Sequence, residues 1–487
     1  VSMPTSFEWE TASPESRGLD GRALEAWKDV LADRGTKALL VARHDRIVYE
    51  WYAPDHAPRA LHGTASLAKA LVGGISLILA IGDGLLSPDD PAARWVPQWR
   101  DHPIRSQITV RQLATHSAGI EDAEVEGIGH MELGGWMEAF WRRDPDPFTV
   151  SRDHAPFAFR PGTAYGYSNT GMAMLAYVVT AALQETPHRD IRTLLRERVM
   201  RPIGVADEEW SVGYGETSLE DGLPLVANWG GGAFTARAAA RLGRLMMHRG
   251  EWLGRGQVLP AHAVDQALTY ADTPVPPRPP GDPQPVIGLC WALNADGVWP
   301  NVPRDAFGGA GAGNQMLLVV PSLDLVLVRN GATIGDPTAG EGFWGGAVQY
   351  LFDPLMAAIT EPRPAAAAPA SAPYPPSPVI RGVRFAPEEE IIRRGVDSDN
   401  WPITWADDDL QYTAYGDGYG FEPLIDEKLS LGLGTVAGDP PEIACRNLRT
   451  PTGERLGNGA QGLKASGMLM VDGVLYMLSR NAGSSTL

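Results

Sequence analysis

The stretch Gly63-Thr64-Ala65-Ser66-Leu67-Ala68-Lys69 runs without a break into the apolar segment from Ala70 to Ile81, and this pairing constrains the chain more than anything else in it. The segment is too long and too rich in Leu, Ala and Ile for an ordinary strand, so it predicts a buried helix ending at Gly82-Asp83-Gly84. Ser66 then lies in the first helical turn, and Lys69, three residues on, shares its face. A serine hydroxyl is a weak nucleophile until a neighbouring base takes its proton. A lysine kept from water serves as that base once its pKa falls. Free N–H groups at a helix N-terminus also suit an oxyanion. The sequence contains a single Ser-x-x-Lys. Its plain alternative is a capping serine beside a solvated lysine.

A chain of 487 residues has room for two or three domains and one substantial core. The net formal charge of −18 argues against nucleic acid and anionic membrane, which attract basic surfaces. Cys290 and Cys445 are far apart and read as buried thiols rather than a disulfide or a metal site. The histidines form no paired-ligand pattern, so neither a metal nor another cofactor is expected. The Ser66 helix is the longest apolar run, yet it carries two glycines and is short for a bilayer; it reads as core, not as a membrane span. Val1 to Arg17 has no basic region followed by an apolar one, which makes a cytoplasmic enzyme the default expectation, although a trimmed leader would look the same.

Along the chain, Leu19 to Arg34 has Leu24, Trp27, Val30 and Leu31 at helical spacing. Ala38–Ala42 and Ile47–Tyr52 form a hairpin around Arg43-His44-Asp45-Arg46. Thr109 to Thr115 reads as a short helix leading into the turn His116-Ser117-Ala118-Gly119, where His116 has a structural role. Residues 120 to 165 lack periodicity and read as a long loop of the kind that covers a site. Met172–Leu183 and Ala236–Met247 are helices, the second capped by Thr235. Pro274–Pro285 is a surface loop. Val286–Leu293, Met316–Val320 and Leu323–Arg329 are strands, and Trp344–Ile359 is a helix interrupted at Pro354. Strands at both ends of a helical middle indicate an α+β fold with an antiparallel sheet. Residues 1–361 make this domain, 362–378 a Pro/Ala-rich linker, and 379–487 a β-rich module with runs at Trp401–Trp405, Leu410–Tyr415, Gly467–Val471 and Val474–Leu478. The Asp417 segment there, Gly416-Asp417-Gly418, reads as a plain turn.

A second chemical signal is Tyr165-Gly166-Tyr167-Ser168-Asn169-Thr170-Gly171, just before the Met172 helix. A phenol near Ser66 and Lys69 can hold a proton and return it to a leaving group. Asn169 is placed either to orient Lys69 and a substrate carbonyl or to cap the helix. Ser168 is one residue out of step with a nucleophile elbow and is a poor rival. Taken with Ala114-Thr115-His116-Ser117-Ala118-Gly119 and with Phe307-Gly308-Gly309-Ala310-Gly311-Ala312-Gly313-Asn314-Gln315 before a strand, these motifs resemble the class C β-lactamase superfamily of serine hydrolases over roughly residues 15 to 360. That superfamily includes DD-peptidases, family VIII esterases and 6-aminohexanoate-dimer hydrolase. The resemblance implies a helical domain beside an antiparallel sheet flanked by helices, with Ser66, Lys69 and Tyr167 catalytic at their junction. It further implies an oxyanion hole from the N–H groups of Ser66 and Ala312, with Asn169, Gly309 and Gly311 in the substrate-binding wall.

One departure bears on substrate. The family's third motif usually begins with Lys or His, then Thr or Ser, then Gly; here the matching positions are Gly309, Ala310 and Gly311. Without the cation that engages a substrate carboxylate, a small ester or uncharged amide is favoured over a β-lactam. The expected function is therefore a serine hydrolase forming an acyl-enzyme on Ser66, a carboxylesterase first, with an amidase, peptidase or transacylase as the alternative. A non-turning-over penicillin-binding or sensor domain is the third reading. Gly309 and Gly311 could equally mark a tight entry to a strand. Trp136, Trp141 and Trp229 either line an acyl pocket or pack. Residues 392 to 481, with Asn400-Trp401-Pro402, look like part of a sialidase-like propeller, from which no second activity follows.

Overall fold

The structure, a computed structural model, describes residues 7–125, 127–360, 392–457 and 462–481, and the linker assigned to 362–378 lies outside them. The chain divides into two units, Val1–Ala372 and Pro373–Leu487.

In the first unit, Asp20 caps helix α1 (Gly21–Asp33) by accepting the N–H groups of Arg22 and Ala23. Strand β1 (Glu10–Thr11) precedes it, and the hairpin β2 (Thr36–Arg43) and β3 (Arg46–Tyr52) follows. Helix α2 (Ala65–Gly82) carries Ser66, and α3 (Val110–Ala114) opens with Thr109 and Gln112 in a reciprocal capping box. Next come α4 (Gly135–Arg142), α5 (Asn169–Ala182) and α6 (Ala236–Met247), the last capped by Thr235 as the sequence predicts. Strands β4 (Val286–Ile287), β5 (Ala292–Leu293), β6 (Phe307–Gly311), β7 (Gln315–Val320) and β8 (Leu325–Gly331) lead to the helical segment 343–357.

These strands form one eight-stranded sheet in the order β1-β3-β2-β8-β7-β6-β5-β4. Every neighbouring pair is antiparallel except the edge pair β1–β3, which is parallel, so the expected antiparallel sheet is in fact mixed. The period-2 alternation of strands sorts the side chains between two cores. Leu40, Leu317, Val319, Val326 and Val328 face α2, α5 and α6, whereas Leu39, Val41, Leu318, Val320, Leu325 and Leu327 face α1 and segment 343–357. Because both faces are covered, the strands read as unbroken apolar runs. Helix α6 sits close on the sheet at Gly243, where a Cβ would come within 2.8 Å of Leu317 and Val326. Helix α2 is long and apolar enough to cross a membrane, but 83% of it is buried between sheet and helices.

Several expected elements differ. Val286–Leu293 is two short strands, broken where Gly288 packs against Ala267 and Cys290 takes a positive φ of 69°. Pro321–Leu323 is a turn of 3-10 helix, so the last strand starts only at Leu325. Residues 120 to 165 are not one loop, for they contain α4 and three further short helical segments, His130–Glu132, Pro147–Thr149 and Val150–His154. Before Pro354 the chain widens into a π-helical stretch, Ala347–Phe352, and continues as Asp353–Ala357. Proline has no N–H to donate, and the wider turn accommodates its ring without ending the helix.

The second unit is built from β9 (Ile403–Trp405), β10 (Gln411–Tyr415), β11 (Leu429–Ala437), β12 (Ala444–Leu448) and β13 (Arg455–Leu456), with a separate hairpin β14 (Lys464–Val471) and β15 (Val474–Arg480). The order β9-β10-β11-β12 is an antiparallel meander, and β13 pairs with β11. Asp417 lies in its Gly-Asp-Gly turn at φ 49° and pairs with Lys464.

Candidate active site

Helix α2 is not uniform. Ala65–Leu67 is 3-10, Lys69–Gly74 is π-helical, and only Ile75–Gly82 is α-helical, so Ser66 sits in a tight turn instead of an α-helical one. Ala65, immediately before it, has φ +44°, a conformation that costs a residue with a Cβ and is stored where the surroundings enforce it. The enforcing neighbour is strand β6. A Cβ on Gly311 would fall 2.9 Å from Ser66 N and 2.8 Å from Leu67 N, and one on Gly309 would fall 2.7 Å from Ala70 Cβ. Gly309 and Gly311 are thus inside the strand, not at its entry, and their bare backbone lets the sheet close directly onto the Ser66 turn.

Lys69 is buried and makes three short polar contacts: Ser66 Oγ at 3.0 Å, Asn169 Oδ1 at 2.7 Å and the Trp229 carbonyl at 3.0 Å. Loss of hydration at this depth lowers its pKa, and the nearby Asp122 and Glu124 charges oppose the shift. A neutral amine has two N–H bonds and one lone pair. Once Lys69 is neutral, with its two hydrogens given to the Asn169 and Trp229 oxygens, its lone pair would face the Ser66 hydroxyl. On the other side Tyr167 donates its O–H to Ser66 Oγ at 2.6 Å. Burial raises the Tyr167 pKa well above the ordinary value, so the phenol stays protonated at neutral pH.

Tyr167 is held by the turn that follows α3. His116 has φ 56°, its carbonyl accepts Gly166 N–H, and its Nδ1 accepts Ser168 N–H at 3.2 Å. Its ring lies 4.8 Å from the Tyr167 ring, and burial pushes its pKa down to about 3, so it is a neutral wedge. Ser168, not Asn169, caps α5 by accepting the Gly171 N–H at 2.8 Å. Asn169 is the first helical residue, and its side chain is free to face Lys69.

A residue the sequence reading does not single out completes this network. Asp122 accepts the Asn169 backbone N–H at 2.7 Å, the Ala123 N–H at 2.8 Å and the Asn169 side-chain amide at 3.4 Å. Its carboxylate faces the NH2 end of the amide and thereby turns the oxygen toward Lys69. Burial raises its own pKa. The one sequence signal is an acid shortly past the His116-Ser117-Ala118-Gly119 turn.

The Ser66 hydroxyl opens onto two cavities. One, of about 400 Å³, is walled by Phe140, Trp141, Tyr214 and Trp229 and includes Asn169, Ala312 and Glu124. The other, of about 380 Å³, contains Lys69, Tyr167, Gly309, Gly311, Ala312 and Gln284. Ala312, which follows β6, borders both. Of the three candidate tryptophans, Trp141 and Trp229 line the first cavity, and Trp136 packs on the core instead. Cys290 is buried in the second cavity's wall, whereas Cys445 is only half-buried; both are free thiols.

Arg329 is fully buried beneath the β6–β7 turn, with no carboxylate among its hydrogen-bond partners in the described residues. Its guanidinium donates to the Gly313 carbonyl at 2.7 Å and the Asn314 carbonyl at 3.2 Å, and its Nε to Thr36 Oγ1 at 3.0 Å. Gln315 donates to the Ala312 carbonyl at 3.0 Å. Together they fix the turn that presents Ala312 to Ser66.

A family model described as Beta-lactamase matches residues 28–331. Among curated proteins the chain is similar to a 6-aminohexanoate-dimer hydrolase of Paenarthrobacter ureafaciens, 27% identical over 49% of this chain and 58% of that one. It is also similar to penicillin-binding protein 4* of Bacillus subtilis, 28% identical over 25% of each. The matched stretch thus spans less than two thirds of either relative's length. Among solved structures, that of a family VIII carboxylesterase superposes with a TM-score of 0.52 at 18% identity, covering 72% of this chain and 99% of that one, and it shares the fold.

Proposed function

The chain belongs to the Beta-lactamase family of serine hydrolases, and from that premise we propose that it is a carboxylesterase acting through an acyl-enzyme on Ser66. The observation that carries the reading is the position of the buried Lys69 amine, 3.0 Å from Ser66 Oγ and held by Asn169 Oδ1 and the Trp229 carbonyl, with the Tyr167 hydroxyl on the other side of Ser66 Oγ.

Lys69 takes the hydroxyl proton as Ser66 Oγ bonds to the substrate carbonyl carbon. The carbonyl oxygen gains the negative charge and is met by the backbone N–H groups of Ser66 and Ala312, each such donor lowering the barrier by about 3 kcal/mol. Collapse breaks the bond to the leaving oxygen, which takes its proton from Tyr167, and the proton held by Lys69 makes good that loss. Water then adds to the acyl carbon as Lys69 takes one of its protons, the bond from that carbon to Ser66 Oγ breaks, Lys69 returns the proton to Ser66 Oγ, and the acid is released.

The preference for an uncharged ester rests on Gly309. A side chain there would run into Ala70 and Leu67, so the position that carries a cation in the family's third motif is closed to one. A second reading, an amidase, is favoured by the protonated state of Tyr167, since a departing amine needs a proton more than an alcohol does.

The test is a time course with p-nitrophenyl butyrate, p-nitrobutyranilide and nitrocefin on wild type and Ser66→Ala. Ester turnover lost in the variant, with little nitrocefin hydrolysis, is the expected result. Faster anilide turnover selects the amidase. A burst of one equivalent followed by silence contradicts both enzyme readings.

A further inference from the structure

Lys69 and Tyr167 line the second cavity beside Ser66 and not the aromatic one. Tyr167 gives the leaving oxygen its proton in the mechanism above, so the leaving group lies in that second cavity, of about 380 Å³. Its wall combines apolar side chains, among them Ile287, Phe343 and Trp344, with two polar ones that the reaction does not use, Gln284 and Tyr165.

Gln284 is held in one attitude. Its backbone N–H goes to the Asp282 carbonyl at 2.8 Å, and its carbonyl accepts Arg278 Nε at 2.7 Å. Its side-chain Nε2 donates to Asp282 Oδ2 at 3.2 Å, while Oδ1 of the same carboxylate accepts the Trp344 N–H at 2.7 Å. The loop is clamped from the other side as well, for Gly342 N–H reaches the Gly281 carbonyl at 3.3 Å, and a Cβ on Gly345 would fall 1.8 Å from that oxygen. A carboxylate only accepts, so the Gln284 amide keeps its nitrogen toward Asp282 and its oxygen away from it. Among the described residues that Oε1 has no hydrogen-bond partner, and neither has the Tyr165 hydroxyl. The Tyr165 ring stands at 77° to that of His116, 5.9 Å away, and burial raises its pKa, so the phenol keeps its proton.

Among the described residues lining this cavity, each charged group already has a partner. Asp282 is taken by Gln284 and Trp344, Glu124 meets His130 at 3.2 Å, and Lys69 is held by Ser66, Asn169 and Trp229. The cavity thus offers a neutral acceptor, Gln284 Oε1, and a hydroxyl that donates or accepts, set among apolar walls. A site built to hydrogen-bond an O–H rejects the analogue without it, because the site's own polar groups are then left unpaired.

We propose that Gln284 and Tyr165 select a leaving alcohol that carries a second hydroxyl, so that the substrate class is the monoester of a diol or polyol. Both residues set specificity and stand apart from the reacting atoms. This deepens the acyl-serine reading and rests on it.

The experiment measures kcat/KM for 2-hydroxyethyl, 3-hydroxypropyl and 4-hydroxybutyl butyrate, each beside the n-alkyl butyrate of equal length, in wild type, Gln284→Leu and Tyr165→Phe. Within a pair the acyl group is shared and the sizes match, and both substitutions nearly keep the volume of the side chain. In wild type the hydroxy ester is expected to lead its partner by about tenfold at one chain length, the effect of one or two neutral hydrogen bonds. In each variant that ratio falls by about threefold or more. A general loss of rate in a variant acts on both members of a pair and cancels in the ratio. Turnover with no preference for the hydroxy ester at any length in wild type, or a ratio unchanged in both variants, overturns the inference and leaves the hydrolase reading standing. Absence of turnover in wild type for every ester, p-nitrophenyl butyrate included, overturns both.

Discussion

Asp122 accepts the backbone N–H of Asn169 at 2.7 Å, and the same carboxylate faces the amide nitrogen of the Asn169 side chain at 3.4 Å. The amide can then present only its oxygen to Lys69, 2.7 Å away. The orientation of the lysine, and so the direction of its lone pair, is set two contacts away from the nucleophile.

In Asp122→Asn the new NH2 group opposes the Asn169 NH2, and the Asn169 amide turns its nitrogen toward Lys69. Misplacement of this order costs about a hundredfold in kcat. The negative charge that sustains protonation of Lys69 is also gone, so the acid limb of the pH–rate profile moves to lower pH. A structural role alone would lower the melting temperature without moving that limb.

The rate has a rising limb because Lys69 must be neutral to act. Burial lowers its pKa, so the limb lies below the value of about 10.4 found for a free lysine. Tyr167 moves the opposite way and contributes no falling limb in the ordinary tyrosine range. Stability follows the same sign. Between the lowered folded value and the unfolded one, the unfolded chain binds more protons at Lys69, so stability rises with pH across that window. His116 does likewise between about 3 and its unfolded value near 6.5, and predicts acid-induced loss of structure. Urea titrations across pH, set beside kcat/KM profiles, check both.

Gly311→Ala places a methyl 2.9 Å from Ser66 N. Overpacking of this kind costs about 1–3 kcal/mol of stability. Here the displaced atoms are those of the nucleophile turn, so kcat falls further than the loss of folded protein explains. Gly309→Lys collides with Ala70 and Leu67 and is expected to destabilise the protein without conferring nitrocefin hydrolysis. Thermal unfolding together with active-site titration separates the two effects.

Arg329→Met leaves the Gly313 and Asn314 carbonyls without their buried cation. Hydrogen bonds to a charged group contribute about 1.5–3 kcal/mol, and the melting temperature falls accordingly. The turn bearing Ala312 loosens, so kcat decreases more than KM changes. Steady-state kinetics well below the melting transition checks this.

Much of this arrangement is legible in the sequence where one residue's chemistry meets a regular spacing. Ser66 and Lys69 three apart, Tyr167 and Asn169 two apart, and Thr235 before an amphipathic helix all lie where the pattern places them. Asp122 is not legible because it sits in the acidic run Glu121-Asp122-Ala123-Glu124, which looks like any solvated cluster of carboxylates until the fold buries one of them. Strand β11 is hidden as well, because Gly432 and Gly434 interrupt its alternation. The reason is packing, since a Cβ at Gly432 would enter the Tyr415 ring. The π-helical stretch of α2 has a similar origin: Gly73 and Gly74 yield to Met172 and to the indole of Trp291, contacts that only tertiary structure brings together.

The most direct test of the account is to quench the enzyme during p-nitrophenyl butyrate turnover, digest it, and locate the acyl group by mass spectrometry. The account predicts one butyryl group on the peptide containing Ser66, absent from Ser66→Ala along with turnover. A butyryl group on any other residue, or turnover that persists in Ser66→Ala, contradicts it.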